Sequence, residues 1–286
     1  MKKLVALIFA MLMMLMLFSG CSVYYTYSDS EKYQSGADEI TEKVEHLSVQ
    51  WLQGEVEILP ADEGETSLRI EETANLVLNK NTSVHYLLEG STLKIRYARA
   101  GGLLTMLKKT LKIYVPNDLL SLDVDTSASN VRIGAISTGD CTLSVGTANT
   151  RLDGVRITRH FAFEAAKGSL TGYADCTGAD IELDVASGSI DFTPKACRSF
   201  DVIIPYGNTT LSFEETPTNG RFEVGSGHVT VYLPSTAEFS LTIQKLTGKL
   251  VTDFDYVKSG SYYVVGAGIN RFDVRVGSGD VKIYKK

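Results

Sequence analysis

The chain has 286 residues, of which 44% are hydrophobic and 22% charged, and its formal net charge is −6 at pH 7. Nucleic acids and anionic lipids are bound by proteins with a basic face, so this excess of acid argues against both as ligands. The chain is long enough to bury a core without dense cross-linking. Its four cysteines follow no zinc-binding spacing.

Residues 1–20 form a predicted signal peptide. The chain opens with two lysines, continues through an apolar run from Leu4 to Phe18, and then has the small residues Ser19 and Gly20. A helix that crosses a bilayer needs about 20 apolar residues, and this run is shorter. The positive start and the small residues at the end favour export with cleavage over an uncleaved membrane anchor.

The segment from Leu17 to Cys21 resembles the lipobox of bacterial lipoproteins, in which small residues precede a cysteine that is lipidated and becomes the new N-terminus. Ser19, Gly20 and Cys21 match that motif, and Phe18 stands where the family usually has leucine. The resemblance implies a diacylglyceryl group on Cys21 and a mature protein anchored to the membrane on its extracytoplasmic side. Two acyl chains anchor a protein stably.

Two further regions follow the signal peptide. Residues 21–42 are predicted to be the lipidated N-terminus and a polar tether, since they show no sustained hydrophobic periodicity. Residues 43–286 are predicted to be one all-β domain, because apolar and polar residues alternate in short runs, as at Leu47, Val49 and Trp51.

One segment departs from this alternation. Leu103 to Leu111 has helix-like spacing after two glycines, which predicts an insertion or a cap. The lysines at its end, Lys108 and Lys109, are interpreted together with Lys112 as a solvated face, because a short cluster of lysines is usually exposed.

Four segments repeat one design, in which an alternating strand, a tight turn at glycine and a second alternating strand follow each other. They are LSVQWLQGEVEILP (47–60), IELDVASGSIDFTP (181–194), FEVGSGHVTVYLP (222–234) and FDVRVGSGDVKIY (272–284). The turn residues are spaced about 20 positions apart, with a longer last step: Ala128, Ala148, Gly168, Gly188, Gly207, Gly227, Gly248 and Gly279. The longer step predicts a loop inserted within Val257 to Asn270.

A fixed period of this kind indicates stacked repeats. A coil of about 20 residues cannot bury its own apolar side, so each coil has to pack on its neighbours. The sequence therefore predicts a parallel β-solenoid, or β-helix. An antiparallel β-sandwich of hairpins with glycine turns is the alternative that the same alternation permits.

The reiterated turns VASGSI, VGSGHV and VGSGDV, the strand ending KIYVP at 112–116, and the terminal VGSGDVKIYKK resemble a family of bacterial envelope proteins called "putative adhesins". That family is a domain of unknown function built from β-strand repeats, and the resemblance covers most of residues 43–286. It implies a right-handed β-solenoid at the cell surface with no established activity.

The sequence contains no recognisable catalytic motif. The candidate bases are four histidines, His46, His85, His160 and His228, and the nucleophile elbow GxSxG is absent. We therefore expect a protein that is not an enzyme and has no cofactor.

Stacking coils brings equivalent positions side by side, so acids that lie far apart in sequence can form one row. The candidates are Asp123, Asp125, Asp184 and Asp273. Their neighbours are apolar, so the acids point outward, and we interpret the row as a solvated face rather than a metal site.

Two local features are candidate sites. The inserted stretch 257–270 is the predicted binding loop, with Tyr262, Tyr263 and Asn270, because insertions in solenoids often cluster on a binding face. Cys176 and Cys197 fall at nearly the same place on adjacent coils, which permits a disulfide, although two buried free thiols fit equally well.

These observations predict an exported lipoprotein whose solenoid binds cell-wall polymer or a surface protein. The alternative is a structural or envelope-sensing lipoprotein that regulates a membrane partner. A binding module is expected to concentrate exposed aromatic side chains on one face of the solenoid, whereas a spacer is not.

Overall fold

The computed structural model describes residues 27–98, 107–245 and 247–286, and these residues lie almost entirely in β-strands. The predicted signal peptide and Cys21 lie outside the described residues. Within the described ranges there is one helical turn, a 3-10 turn at Ser30–Lys32, and no helix that has the length and apolar character of a membrane span.

The strands in the described part of the chain are β1 (Gln34–Ser35), β2 (Asp38–Ile40), β3 (His46–Pro60), β4 (Leu68–Ala74), β5 (His85–Glu89), β6 (Thr92–Arg96), β7 (Lys109–Val115), β8 (Leu119–Ile133), β9 (Ser137–Asp175), β10 (Asp180–Val185), β11 (Ser187–Pro194), β12 (Ser199–Ser212), β13 (Asn219–Ser226), β14 (Val229–Leu233), β15 (Phe239–Lys245), β16 (Leu250–Thr252), β17 (Val257–Ser259), β18 (Tyr262–Val265), β19 (Asn270–Ser278) and β20 (Val281–Lys285).

The prediction of a parallel β-solenoid is confirmed. Leu183 in β10 pairs in parallel register with Phe163 in β9 and with Val202 in β12, so each coil advances the chain by about 20 residues. A sandwich of hairpins would pair such strands antiparallel, and it is therefore excluded.

Alternation along each strand separates the core from the surface. In β10, Leu183 and Val185 are buried, whereas Glu182 and Asp184 face outward. The inward residues of successive coils form one continuous apolar core. Because each inward position packs on its equivalents above and below, the coils hold one another in register.

The predicted turn residues stack in a column at one corner of the solenoid. A side chain at Gly188, for example, would place its Cβ 1.7 Å from the carbonyl oxygen of Gly168, so this corner admits only glycine there. Ala128 is the exception. Ala128 pairs with Gln53, and its neighbour Ser129 pairs with Gly54 and so takes the place in the column. The shift arises because paired residues of β8 and β9 are 19 rather than 20 positions apart in the sequence.

The coils at the two ends do not stack in chain order. β19 pairs on one side with β13 and on the other with β15, so the last coil of the chain is inserted one place inward from the end. β3 lies in the same way between β8 and the strands β6 and β7. Equal spacing in the sequence cannot distinguish this order from sequential stacking.

Antiparallel strands cover both ends. At the N-terminal cap, β4 pairs with β7 and β5 pairs with β6, while β1 and β2 add to β5 and β4. β1 and β2 lie within the predicted tether. At the C-terminal cap, β17 and β18 form a hairpin on β15, and this hairpin is the predicted insertion.

The segment from Leu103 to Leu111, whose helix-like spacing predicts an insertion or a cap, is described by the structure only from Leu107 onward. Lys109 to Leu111 belong to β7, in which alternate residues are buried. Lys109 is one of the buried residues, so its assignment to a solvated face is wrong. The pattern of β7 has period two, and the helical spacing arose from apolar residues that precede the strand.

Candidate binding face

One outward row of the solenoid carries exposed tyrosines. We define the tyrosine row as Tyr173, Thr193, Ser212, Tyr232 and Tyr284. Tyr173 pairs with Thr193, Ser212 pairs with Tyr232, and Tyr232 pairs with Tyr284. Tyr173 is 56% exposed, and the rings of Tyr232 and Tyr284 lie 5.7 Å apart. The inward neighbours of this row, such as Phe192 and Val231, are core residues, which fixes the tyrosines on the outer surface.

A second outward row runs beside the tyrosines and carries mainly hydroxyl groups. Thr171 pairs with Asp191, Asp191 with Thr210, and Thr210 with Thr230. A tyrosine ring offers a flat apolar surface and a hydroxyl, and the adjacent threonines offer further donors and acceptors. Together the two rows form a face that can pack against a partner and hydrogen-bond to it.

A ladder of side-chain hydrogen bonds fixes the edge of this face. The carboxamide oxygen of Asn208 accepts from the backbone N–H of His228 at 2.9 Å. His228 Nδ1 in turn accepts from the N–H of Asp280 at 3.1 Å. His228 therefore links its own coil to the coils on both sides, and these bonds hold the outer strands in fixed positions relative to one another.

The spacing of the repeat carries a signal for the tyrosine row that strand alternation alone does not give. Each member follows the glycine of its own turn by five residues, as Tyr173 follows Gly168 and Tyr232 follows Gly227. Reading the repeat position by position, rather than strand by strand, identifies the row.

The outward face on the strands that precede the glycine corner, such as β10, carries acidic side chains. It includes Asp123, Asp125 and Asp184 of the predicted row, with Asp184 between Glu164 and Ile203 in the ladder. Burial raises the pKa of Asp123, and the nearby Asp125 raises it further. Asp273 differs from these acids because the guanidinium of Arg271 lies 3.2 Å from its carboxylate.

The pKa of Asp201, on the same face, is also raised. Burial is the main cause, and the carboxylates of Glu182, Glu223 and Asp184 add to it against the opposing effect of Arg221. Among the described residues, no three His, Cys, Asp or Glu side chains converge in a way that holds a metal ion.

The structure separates the three residues of the predicted binding loop. Tyr262 is exposed on β18. Tyr263 is buried against Tyr256, with 5.4 Å between ring centroids. The side-chain amide of Asn270 donates to the backbone oxygen of Glu238 at 2.9 Å. The hairpin is therefore built mainly as a cap, and Tyr262 is the member that remains available to a partner.

A groove of about 710 Å³ opens at a corner near the C-terminal end. Its walls include Ile203, Pro205 and Ile243, and the ion pair of Arg275 with Glu223, 3.6 Å apart, lies at its side. The small residues of this corner, which leave space outside the backbone, account for the groove.

The described cysteines are free and buried. These are Cys141, Cys176 and Cys197. Ala174 pairs with Pro194, which places Cys176 opposite Ala196 and one position out of register with Cys197, and no bond joins the two sulfurs. Burial raises the pKa of Cys176 to about 12, so its thiol stays protonated and is a poor nucleophile at neutral pH.

Ionisable groups are also buried beneath the N-terminal cap. Lys109 Nζ lies 2.9 Å from Glu72 Oε1, 2.9 Å from the oxygen of Ala98, and 4.2 Å from the centre of the Tyr97 ring. Burial lowers the pKa of Lys109, and the attraction of Glu72 opposes that effect. This cluster is enclosed, so it contributes to folding rather than to a site that a substrate could enter.

A serine–histidine contact occurs on the outer surface. His46 Nδ1 lies 2.7 Å from Ser121 Oγ. In the described part of the chain no carboxylate hydrogen-bonds to the other ring nitrogen, so the pair lacks the group that orients the base in hydrolytic triads.

Comparison with known proteins gives a family and distant structural likenesses. The family model described as Toastrack DUF4097 matches residues 44–284. No curated protein matches the chain.

Three solved structures are similar at low identity. A "putative adhesin" from Bacteroides fragilis NCTC 9343 is 12% identical, with 86% of this chain and 96% of that chain covered and a TM-score of 0.48. A "putative lipid binding protein" from Parabacteroides distasonis ATCC 8503 is 12% identical, with 88% and 97% covered and a TM-score of 0.43. A "putative cell adhesion protein" from Clostridium sporogenes ATCC 15579 is 11% identical, with 88% and 100% covered and a TM-score of 0.25. Likenesses at this level carry no argument about what the chain binds.

Proposed function

The chain belongs to the Toastrack DUF4097 family, and from that premise we propose that it is a non-enzymatic, adhesin-like binding module of the bacterial cell envelope. Its domains would be the signal peptide at 1–20, the lipidated N-terminus and tether at 21–42, and the solenoid at 43–286. A diacylglyceryl group on Cys21 would hold it in the membrane, with the solenoid on the extracytoplasmic side.

The alignment of exposed tyrosines on one face carries this proposal. A domain that only spaces its neighbours has no use for exposed rings in register, whereas tyrosine is enriched where proteins bind partners. Tyr173 and Tyr232 lie on a rigid sheet, so little conformational entropy is lost when a ligand packs against them. The ligand class that this face suits is a cell-wall polymer or an extended segment of a surface protein.

Binding of isolated cell-wall polymer by the purified, lipid-bearing full chain tests the proposal. The variant carries Tyr173→Ala with Tyr232→Ala, and we expect binding at least about tenfold weaker, since the loss of two aromatic contacts exceeds the 1.4 kcal/mol that a factor of ten requires.

Tyr206→Ala is the matched control. Tyr206 is 67% exposed, but it lies at a corner outside the tyrosine row. Its loss should leave binding unchanged. Equal binding by all three proteins would contradict a role for the tyrosine row. Crosslinking in cells that captured one membrane protein and no polymer would favour the regulatory alternative.

The anchor is tested separately by Cys21→Ala. The natural chain should sediment with membranes and incorporate labelled fatty acid, and the variant should do neither. An unlabelled natural chain would exclude lipidation.

A further inference from the structure

The N-terminal cap presents two adjacent apolar side chains to solvent. We define the cap loop as residues 75–84, which join β4 to β5. Val77 is 97% exposed and Leu76 is 51% exposed. Isolated exposed apolar residues are common on proteins, so this exposure gains meaning only from what lies beside it.

The cap loop is fixed in place by hydrogen bonds at its base and within its turn. The N–H of Asn75 donates to the oxygen of Lys108 at 3.2 Å, and the N–H of Lys108 donates to Asn75 Oδ1 at 3.0 Å. Within the loop, the N–H of Asn79 donates to Thr82 Oγ1 at 2.9 Å, and the N–H of Thr82 donates to the oxygen of Asn79 at 2.8 Å. The loop therefore holds Leu76 and Val77 outward as part of its folded shape.

The N-terminal segment of the chain runs to the same place. The Tyr27 hydroxyl is hydrogen-bonded to His85 Nδ1. His85 Nε2 lies 2.9 Å from the oxygen of Lys80, which belongs to the cap loop. Tyr27 follows Cys21 by six positions in the sequence, and six steps of chain span about 20 Å at most. A lipid on Cys21 would thus keep the cap loop within reach of the bilayer surface.

We propose that the cap loop docks on the membrane, with Leu76 and Val77 inserted among the lipid headgroups and upper acyl chains. This inference rests on the proposed lipidation of Cys21. Amphipathic elements bury their apolar side to about 5–10 Å in this zone. Lys80 and Lys108 are exposed in the loop region and would face the phosphates there, since the loop itself carries no acid although the chain as a whole is acidic. The solenoid then stands on its N-terminal cap, and the C-terminal cap is held about 40 Å away at ~4.8 Å per coil.

The position of a fluorescent label relative to the membrane tests this orientation. Val77→Cys and Val257→Cys are prepared in the lipid-bearing full chain and labelled with an environment-sensitive dye. The three described native cysteines are buried, which favours labelling at the new site. Val257 is the matched control because it is a valine, 74% exposed, on the opposite cap.

The proteins are placed in vesicles of phosphatidylethanolamine and phosphatidylglycerol that contain spin-labelled lipid as quencher. We expect the dye at position 77 to shift to shorter wavelength and to be quenched several-fold more strongly than the dye at position 257. Equal, water-like emission at both positions would overturn the docking.

Flotation of the same vesicles separates the two proposals. If the protein floats with the vesicles but the dye at position 77 stays in water, the anchor stands and the docking is wrong. If the natural chain does not float, lipidation fails and the docking that rests on it fails too. Replacing Leu76 and Val77 by serine should leave flotation intact, because the acyl chains suffice for anchoring.

Discussion

The two caps both cover an open strand edge, but different side chains are buried beneath them. A stack of parallel coils ends in an unpaired edge, and both caps cover that edge with antiparallel strands. Beneath the N-terminal cap lies the ion pair of Lys109 with Glu72. Beneath the C-terminal cap Phe254 packs edge-on against Phe239, at 5.3 Å between ring centroids. An end of the solenoid can thus be closed over buried charge or over aromatic packing. We therefore expect different substitutions to destabilise the two caps.

Near each cap lies a coil whose strands are paired on both edges. β3 and β19 belong to the first and last coils of the repeat domain, and each is paired on both edges. Fraying of either end therefore requires separation of a cap before the terminal coil is released. In a stacked repeat such local openings are governed by nearest-neighbour contacts, so each end can be tested on its own.

The largest expected loss of stability, at the N-terminal cap, follows from Glu72→Ala. Removing one partner of a buried ion pair leaves the other charge uncompensated and costs about 3–5 kcal/mol. Hydrogen exchange should show faster exchange in β4 and β5, with β16 to β18 unchanged. Slow exchange throughout would mean that Lys109 finds another partner.

Lys258→Ala is the matched control at the other cap. Lys258 Nζ lies 5.1 Å from the centre of the Tyr263 ring, which resembles the position of Lys109 over Tyr97. Lys258 is exposed, however, so its removal should leave the exchange of β17 and β18 unchanged. Substituting Lys109 by Met together with Glu72→Leu should recover most of the loss, because no lone charge then remains.

The repeat was predictable from the sequence, and the contents of the caps were not. The turn glycines identified the parallel solenoid because close backbone stacking at Gly188 or Gly227 admits no other residue. Lys109 was assigned to the solvent because lysine is usually exposed, and the neighbouring sequence does not show that this one has a buried partner. Its acidic partner, Glu72, comes from a different strand and is brought to it only by the antiparallel pairing of β4 with β7.

The candidate site was likewise predictable from the sequence only in part. The outward position of Tyr232 follows from strand alternation, but its proximity to Tyr284 depends on β20 being inserted next to β14. Sequential stacking would have put β16 there instead. Similarly, the burial of Tyr263 depends on how the hairpin folds back onto β15, and alternation within a short insertion does not determine that.

The next effect in size is expected from Phe254→Ala. Phe254 is buried, and truncating a buried phenylalanine costs about 3 kcal/mol or more. Exchange should become faster in β15 to β18, while β4 and β5 stay protected. A uniform increase along the chain would show that the two ends unfold together, which would contradict independent caps.

The smallest expected effect is a pH-dependent loss of stability at the N-terminal cap, which the C-terminal cap should not show. Burial lowers the pKa of His85 from 6.5, with Lys109 lowering it further and Glu72 opposing this. As the pH falls through 6.5, the unfolded chain takes up a proton at His85 before the folded chain does, so the N-terminal cap loses stability below about pH 6.5 and is unaffected above it. Each unit between the two pKa values corresponds to about 1.4 kcal/mol.

Exchange of β5 amides, corrected for the intrinsic pH dependence and followed from pH 8 to pH 5, measures this loss, with β18 as the internal reference. In His85→Gln the acid-dependent part should disappear, although the variant will be less stable at every pH because the bond from Tyr27 changes. Identical pH profiles for the two proteins would mean that protonation of His85 is not linked to opening of this cap. A loss of equal size in β18 would assign the acid sensitivity to the whole solenoid rather than to its N-terminal cap.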